Sequence, residues 1–203
     1  MIPGNLFIIT AASGAGKTSL VNALLAKDSQ VKLSISHTTR APRPGEENGV
    51  HYHFVNETTF DEMLNAGDFL ESASVHGAHY GTSQSAVESA LAAGFDVILE
   101  IDWQGAAQIR QAYPQAISVF ILPPSMQTLA ERLSRRGQDS ADVIAMRLAA
   151  AREEMRHVAE FDYVTINNDF DEALQDLLAI VRTQRLRLQT QVTRHAALIK
   201  ELT

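Results

Sequence analysis

Cysteine is absent from this chain of 203 residues, which excludes disulfides, thiolate metal sites and a cysteine nucleophile and fits a reducing compartment. Long apolar runs are also missing: none approaches the roughly 20 residues needed to span a bilayer. The N-terminus lacks the basic-then-apolar layout of a signal peptide. A soluble, cytoplasmic protein that does not bind membranes is therefore expected. Basic charge is scarce as well. A formal net charge of −7 argues against general affinity for nucleic acid, which depends on a basic surface that neutralises phosphates. Any anion binding must be local, and arginine does cluster, around Arg40 and Arg43 and again over residues 132–156. Seven histidines occur without an H-E-x-x-H or comparable spacing, and His51 with His53 marks only two residues on one strand face, so no zinc is expected. What remains, at 45% hydrophobic content, can bury one good core with small inserted subdomains.

The strongest positive signal is residues 6–19, LFIITAASGAGKTS, where an apolar run breaks into a small-residue turn ending in Gly16, Lys17 and Thr18. Gly14 and Gly16 let backbone N–H groups converge on phosphate oxygens, Lys17 adds a positive charge, and Thr18 offers a hydroxyl to Mg²⁺. A nucleoside triphosphate is the expected ligand. The pattern G-x-x-x-x-G-K-[ST] asks for glycine at position 11, where this chain has Ala11, so the loop must enter with φ below zero there.

Residues 5–10 read as a buried strand, and Leu20, Val21, Leu24 and Leu25 then recur at helical spacing. Residues 96–101 and 116–122 are further apolar runs of strand length around a helical segment at 106–111, and residues 163–166 form a fourth strand. Strands alternating with helices indicate an α/β fold with a parallel sheet, whose ligands lie beyond the carboxyl ends of the strands. Residues 34–82, rich in Pro, Gly, Thr, His and Tyr, suggest a small mixed or antiparallel insert that carries a binding site. Residues 125–160 are helical, arginine-rich and broken at Gly137, the pattern of a mobile lid. Residues 171–202 read as one long amphipathic helix, through Leu174, Leu177, Leu178 and Val181, able to pack within one chain or to self-associate into a homo-oligomer.

Several side chains are candidates for chemistry. Prolines on both sides of Arg43 stiffen the backbone that presents Arg40 and Arg43, whose planar forks suit a terminal phosphate, with Tyr52 and Tyr80 to complete the shell. An ordinary proline-rich loop is the alternative. Glu71 and Thr82 flank a turn at residues 76–77, and glutamate by itself reads as a solvent-facing strand residue. Glu100 and Asp102 end an apolar strand two residues apart, able to orient Mg²⁺ through water or to hold a ribose, while helix capping is an equal reading for Asp102. Arg132 and Arg136 share a helix face, and Arg147 lies beyond the break, so all three can close over a transferring phosphoryl group; Arg135 and Arg152 read as exposed.

In order, SGAGKTS, SHTTRAPRPGE, FLESASVHGAHYGTS, EIDWQGA, ILPPS and RRGQDS resemble the guanylate kinase family of bacterial type, over essentially the whole chain. The resemblance implies transfer of the γ-phosphoryl group of ATP to GMP or dGMP with Mg²⁺. It also implies a P-loop core (residues 1–33, 83–124 and 161–203), a GMP-binding insert (34–82) and a helical lid (125–160) within one domain. The ATP site would comprise Ala11, Ala12, Ser13, Gly14, Ala15, Gly16, Lys17 and Thr18, with Arg132, Arg136 and Asn167. Arg40, Arg43, Tyr52 and Tyr80 would hold the GMP phosphate, Ser36, Glu71 and Thr82 would read guanine, and Glu100 and Asp102 would lie beside the acceptor nucleotide. Lys17, Arg40, Arg136 and Arg147 would serve the transfer, and Thr18 with Asp102, through water, the metal. Ala12 stands where proline is frequent, Glu100 where aspartate is frequent, and Asn168 replaces a common aspartate. Related guanylate-kinase-like domains act as non-catalytic binding modules, but such domains lose the ATP loop that Lys17 and Thr18 retain here. A kinase of another phosphorylated acceptor, such as a sugar, lacks a reason to keep Glu71, Thr82 and Ser36.

Overall fold

The computed structural model of the chain describes residues 3–75, 77–135 and 141–203. Arg136, the expected break at Gly137 and His76 of the expected turn lie outside the described residues. β1 (Leu6–Ala11) runs into the glycine loop and α1 (Lys17–Lys27), then β2 (Val31–Leu33). The chain leaves the core through β3 (His37–Thr38), β4 (His53–Phe54), α2 (Glu57–Ala66), β5 (Phe69–Val75) and β6 (Ala78–Ser83). It returns by α3 (Gln84–Ala92) to β7 (Asp96–Glu100), α4 (Trp103–Ala112) and β8 (Ile117–Leu122). α5 (Met126–Arg135), α6 (Ala141–Met155) and a 3-10 turn (Arg156–Glu160) precede β9 (Tyr163–Ile166), and α7 (Phe170–Arg185), α8 (Leu188–Arg194) and α9 (Ala196–Leu202) close the chain.

β1 is apolar at nearly every position because helices cover both faces of its sheet. Phe7 and Ile9, with Ile98, Val119 and Ile121, meet Leu20, Val21 and Leu24 of α1 and Leu174, Leu177 and Val181 of α7. Leu6 and Ile8, with Val97 and Leu99, meet Val87 of α3 and Ala106 and Ile109 of α4 on the other face. The five-stranded sheet has the order β2-β7-β1-β8-β9 and is parallel throughout. Its carboxyl ends therefore share one edge, and the loop after β1 emerges between the ends of β7 and β8.

Residues 34–82 build a separate four-stranded sheet of order β4-β3-β6-β5. It is mixed, because β3 and β4, two residues each, pair in parallel across the loop that joins them. β3 and β5 pair antiparallel with β6. The expected terminal helix is three helices instead of one. Arg185 at the end of α7 is tied down: its Nε donates to Asp96 at 2.6 Å and its Nη1 to Asp28 at 2.7 Å. Gln191 Nε2 then donates to the Arg185 carbonyl at 2.7 Å, which closes α7 and turns the chain. Asp96 also accepts from the backbone and side chain of Asn5, at 2.7 and 2.8 Å, so one buried carboxylate joins the starts of β1 and β7 to the end of α7. Burial is the largest single influence and opposes charge on Asp28, but the Arg185 bond, the Gln30 N–H and the Arg185 charge together outweigh it and hold that carboxyl below its usual range. No helix among the described residues is long and apolar enough to cross a membrane.

Candidate active site

The loop after β1 takes its shape from two glycines. Gly14 sits at φ +92°, and a Cβ there would come within 3.0 Å of Leu129 and Leu133 on α5. Gly16 sits at φ +102° and caps α1, and its missing Cβ leaves room for the Asn167 amide, which would otherwise lie 2.3 Å away. That amide donates to the Ala15 carbonyl at 2.7 Å. Ala11 is the last residue of β1, paired with Ile121, so the position lacking the motif's glycine has ordinary strand backbone. Lys17 opens α1 and donates to the Ile101 carbonyl at the end of β7, 3.3 Å away. The Thr18 hydroxyl donates to the Glu100 carboxylate.

A cavity of about 290 Å³ opens above this loop, between the core sheet and the insert. Ala11, Ala12, Ser13, Gly14, Gly16, Lys17 and Thr18 form its floor. Glu100 and Asp102 form one flank, and Ser36, Tyr52, Glu71 and Tyr80 reach in from the insert. The structure thus brings glycine-loop and insert candidates that are far apart in sequence to one space. Ala15 is buried beneath the loop.

Glu71 is not the solvent-facing residue its type suggests. It is 4% exposed, and its Oε1 accepts from the Thr82 hydroxyl at 2.6 Å, with Thr82 fully buried behind it. Burial pushes the Glu71 carboxyl up to about 7; the Asp102 charge adds to the rise, while the Thr82 bond and Lys17 work against it. Asp102 caps α4, accepting from the Gly105 N–H at 2.9 Å, and it also faces the cavity, so both readings of this residue meet in one place. Burial raises the Tyr52 hydroxyl's pKa above its ordinary value, with the Glu100 charge contributing.

Arg40 stands behind the cavity. Its Nη2 donates to both oxygens of Glu46, at 2.8 and 2.9 Å, and its guanidinium lies 5.4 Å from the Tyr52 ring centre. Glu46 also accepts from the Arg43 backbone N–H at 2.7 Å, while the Arg43 residue is exposed. The Arg40 bond holds the Glu46 carboxyl below its usual range. A second recess of about 300 Å³ lies on the far side of the glycine loop, lined by Gly14, Gly16, Arg132, Asn167, Asn168 and Phe170. Arg132 turns there: it donates to the carbonyls of Asn167 at 2.9 Å and Ala15 at 3.3 Å. Arg147 reaches from α6 to the Ser13 hydroxyl at 2.7 Å. Arg135 and Arg152 are exposed.

Three contacts were invisible in the sequence pattern. Glu154 of α6 accepts from the Ser13 N–H at 3.3 Å, at the loop where a phosphate is expected. Glu46 orients Arg40, and Gln108 of α4 bonds the backbone of Ser72 beside Glu71. The Glu154 and Gln108 contacts are long-range and that of Glu46 lies within one loop, and the sequence signal for each is only a polar residue on a helix or loop.

Residues 4–184 match the family model described as Guanylate kinase. A guanylate kinase of Methylobacillus flagellatus is 70% identical over 98% of each chain, and one of Thiobacillus denitrificans is 56% identical over 98% of this chain and 95% of its own. The crystal structure of guanylate kinase from Anaplasma phagocytophilum superposes with a TM-score of 0.77 at 30% identity, covering 92% of this chain and 88% of that one.

Proposed function

This chain belongs to the guanylate kinase family, and we propose how its cavity serves the activity that family membership entails, ATP-dependent phosphorylation of GMP. The observation that carries the assignment of sites is the Glu71 carboxylate, held from behind by Thr82, facing Lys17 across one cavity. Guanine presents two adjacent donors, N1–H and the 2-amino group, to a carboxylate, while O6 accepts from a hydroxyl. Glu71 and the Ser36 hydroxyl line the cavity and supply those partners, while Thr82 holds the Glu71 carboxylate from behind. Adenine would turn an acceptor toward Glu71, and a site built on hydrogen bonds rejects such an analogue by roughly 10⁴-fold.

With guanine there, the acceptor phosphate falls near Tyr52, Tyr80, Arg40 and Arg43, and dGMP fits the same contacts. The donor triphosphate takes the N–H groups of residues 13–18, and Glu154 must leave the Ser13 N–H for a phosphate oxygen to use it. Its adenine suits the recess at Asn167 and Arg132. An acceptor phosphate oxygen then attacks the γ-phosphorus in line. It is anionic near neutral pH and needs no general base, so catalysis is positioning plus charge stabilisation by Lys17, Arg40 and Arg147, with Arg136 assigned by resemblance. Mg²⁺ fits the donors present, because the Thr18 hydroxyl and the Glu100 and Asp102 carboxylates are hard oxygens on one cavity wall. When bound, the ion would supply positive charge beside the phosphates and offset the charge that develops there. A cytoplasmic location, where ATP and GMP occur, belongs to the same reading.

Lys17→Ala tests the donor site. Acceptor-dependent ADP release should fall by roughly 10³-fold or more with the far-UV circular dichroism unchanged. Undiminished turnover would refute the role of Lys17.

A further inference from the structure

We infer that Gly105 and Gln108, one turn apart on α4, are positioning residues that seat the Glu71 carboxylate for guanine, an inference that rests on the reading of Glu71 as the base-recognising group. Two independent contacts carry it. A Cβ on Gly105 would stand 2.6 Å from Glu71 Oε2 and 3.1 Å from its Cδ. Real Cβ atoms do not approach that closely, so any side chain at 105 must displace the carboxylate. Glu71 has little room to yield, since it is 4% exposed and its other oxygen is held by Thr82 at 2.6 Å. The backbone at 105 has no need of glycine: it lies inside α4 and is not among the glycines with positive φ. Close approach of the carboxylate is therefore the reason for glycine there.

Gln108 fixes the same distance from the strand side. Its Oε1 accepts from the Ser72 N–H at 3.1 Å and its Nε2 donates to the Ser72 carbonyl at 2.9 Å. β5 is an edge strand of the insert sheet, so these Ser72 groups face outward. One amide completes both and ties β5 to α4 next to Glu71. Gly105 sets how near the carboxylate comes to the core, and Gln108 holds the strand that carries it at that distance.

The test compares GMP with IMP, which lacks the 2-amino donor, as acceptors at saturating ATP. In Gly105→Ala the KM for GMP should rise at least about tenfold, as expected when a charged hydrogen-bonding group is displaced. The preference for GMP over IMP should shrink, the KM for ATP should stay within about twofold, and the melting temperature should fall, because displacing a buried, bonded carboxylate costs more than alanine gains in a helix interior. Gln108→Ala, which leaves the cavity wall intact, should raise the GMP KM about threefold and serves if Gly105→Ala fails to fold. Unchanged GMP KM and GMP-over-IMP preference in the folded variants would overturn the inference. Glu71→Gln separates the two levels: if it leaves that preference intact, the reading of Glu71 itself fails, whereas a collapse there beside an indifferent Gly105→Ala and Gln108→Ala defeats only the positioning role.

Discussion

Glu71 sets binding against folding. Its carboxyl lies in the wall of the cavity with Thr82 as its bonded partner, and burial pushes its pKa from 4.5 to about 7. The folded chain thus keeps a proton that the unfolded chain releases near pH 4.5. Folding stability falls as pH rises between those values, by about 3 kcal/mol in all. Guanine needs the opposite state, since its two donors require an ionised carboxylate. The KM for GMP should accordingly drop about tenfold between pH 6 and pH 8 as Glu71 ionises, while the KM for ATP changes less. Glu71→Gln removes the titrating group, so its profile should be flatter, its GMP KM higher at pH 8 and its melting temperature at pH 8 higher. Steady-state kinetics across that range read out the first two, and thermal unfolding the third. A pH profile for Glu71→Gln as steep as that of the unaltered protein would contradict the account.

At the scale of elements, the glycine loop is packed from behind by α5 and α6. Leu129 and Leu133 of α5 are buried against Ala12 and Ala151, and they occupy the space a side chain on Gly14 would need. Leu133→Ala should cost about 2–5 kcal/mol of stability through the cavity it leaves. It should also raise the KM for ATP more than that for GMP, because the slackened wall belongs to the donor loop; denaturant unfolding and kinetics with each substrate varied check both parts. Which elements could be read in sequence follows from how they are buried. β1, β7 and β8 are buried, mostly apolar runs and fall within a residue of their expected ends, while β9, an edge strand buried only at Thr165, matches its expected span. β2 has three residues of which only Val31 is buried, too short for any period to show. The insert's mixed pairing rests on two-residue strands, whose partners are set by tertiary contacts. The single terminal helix expected from Leu174, Leu177, Leu178 and Val181 ends at Arg185 because Asp28, Asp96 and Gln191 act on that residue, and Leu186 and Leu188 beyond it are 55% and 79% exposed.

For the molecule as a whole, an acidic chain of net charge −7 places its phosphate chemistry in one interior cleft. The parallel sheet delivers the glycine loop, Glu100 and Asp102 to one edge, and the insert sheet delivers Ser36, Tyr52, Glu71 and Tyr80 to face them. Those residues were legible because each sits in a short motif whose chemistry has a reason. Gly105, Gln108, Glu46 and Glu154 were not legible as site residues, since each matters through a contact made only in the fold, for Gly105, Gln108 and Glu154 with a residue far away in sequence. The central claim is that this cleft transfers a phosphoryl group from ATP to an acceptor chosen by its guanine. The most direct measurement is coupled ADP release with GMP, AMP, UMP or no acceptor, at equal concentrations with ATP and Mg²⁺. ADP release that depends on GMP and is far slower with AMP and UMP is the predicted result. Release that is independent of acceptor, or fastest with AMP, would contradict it.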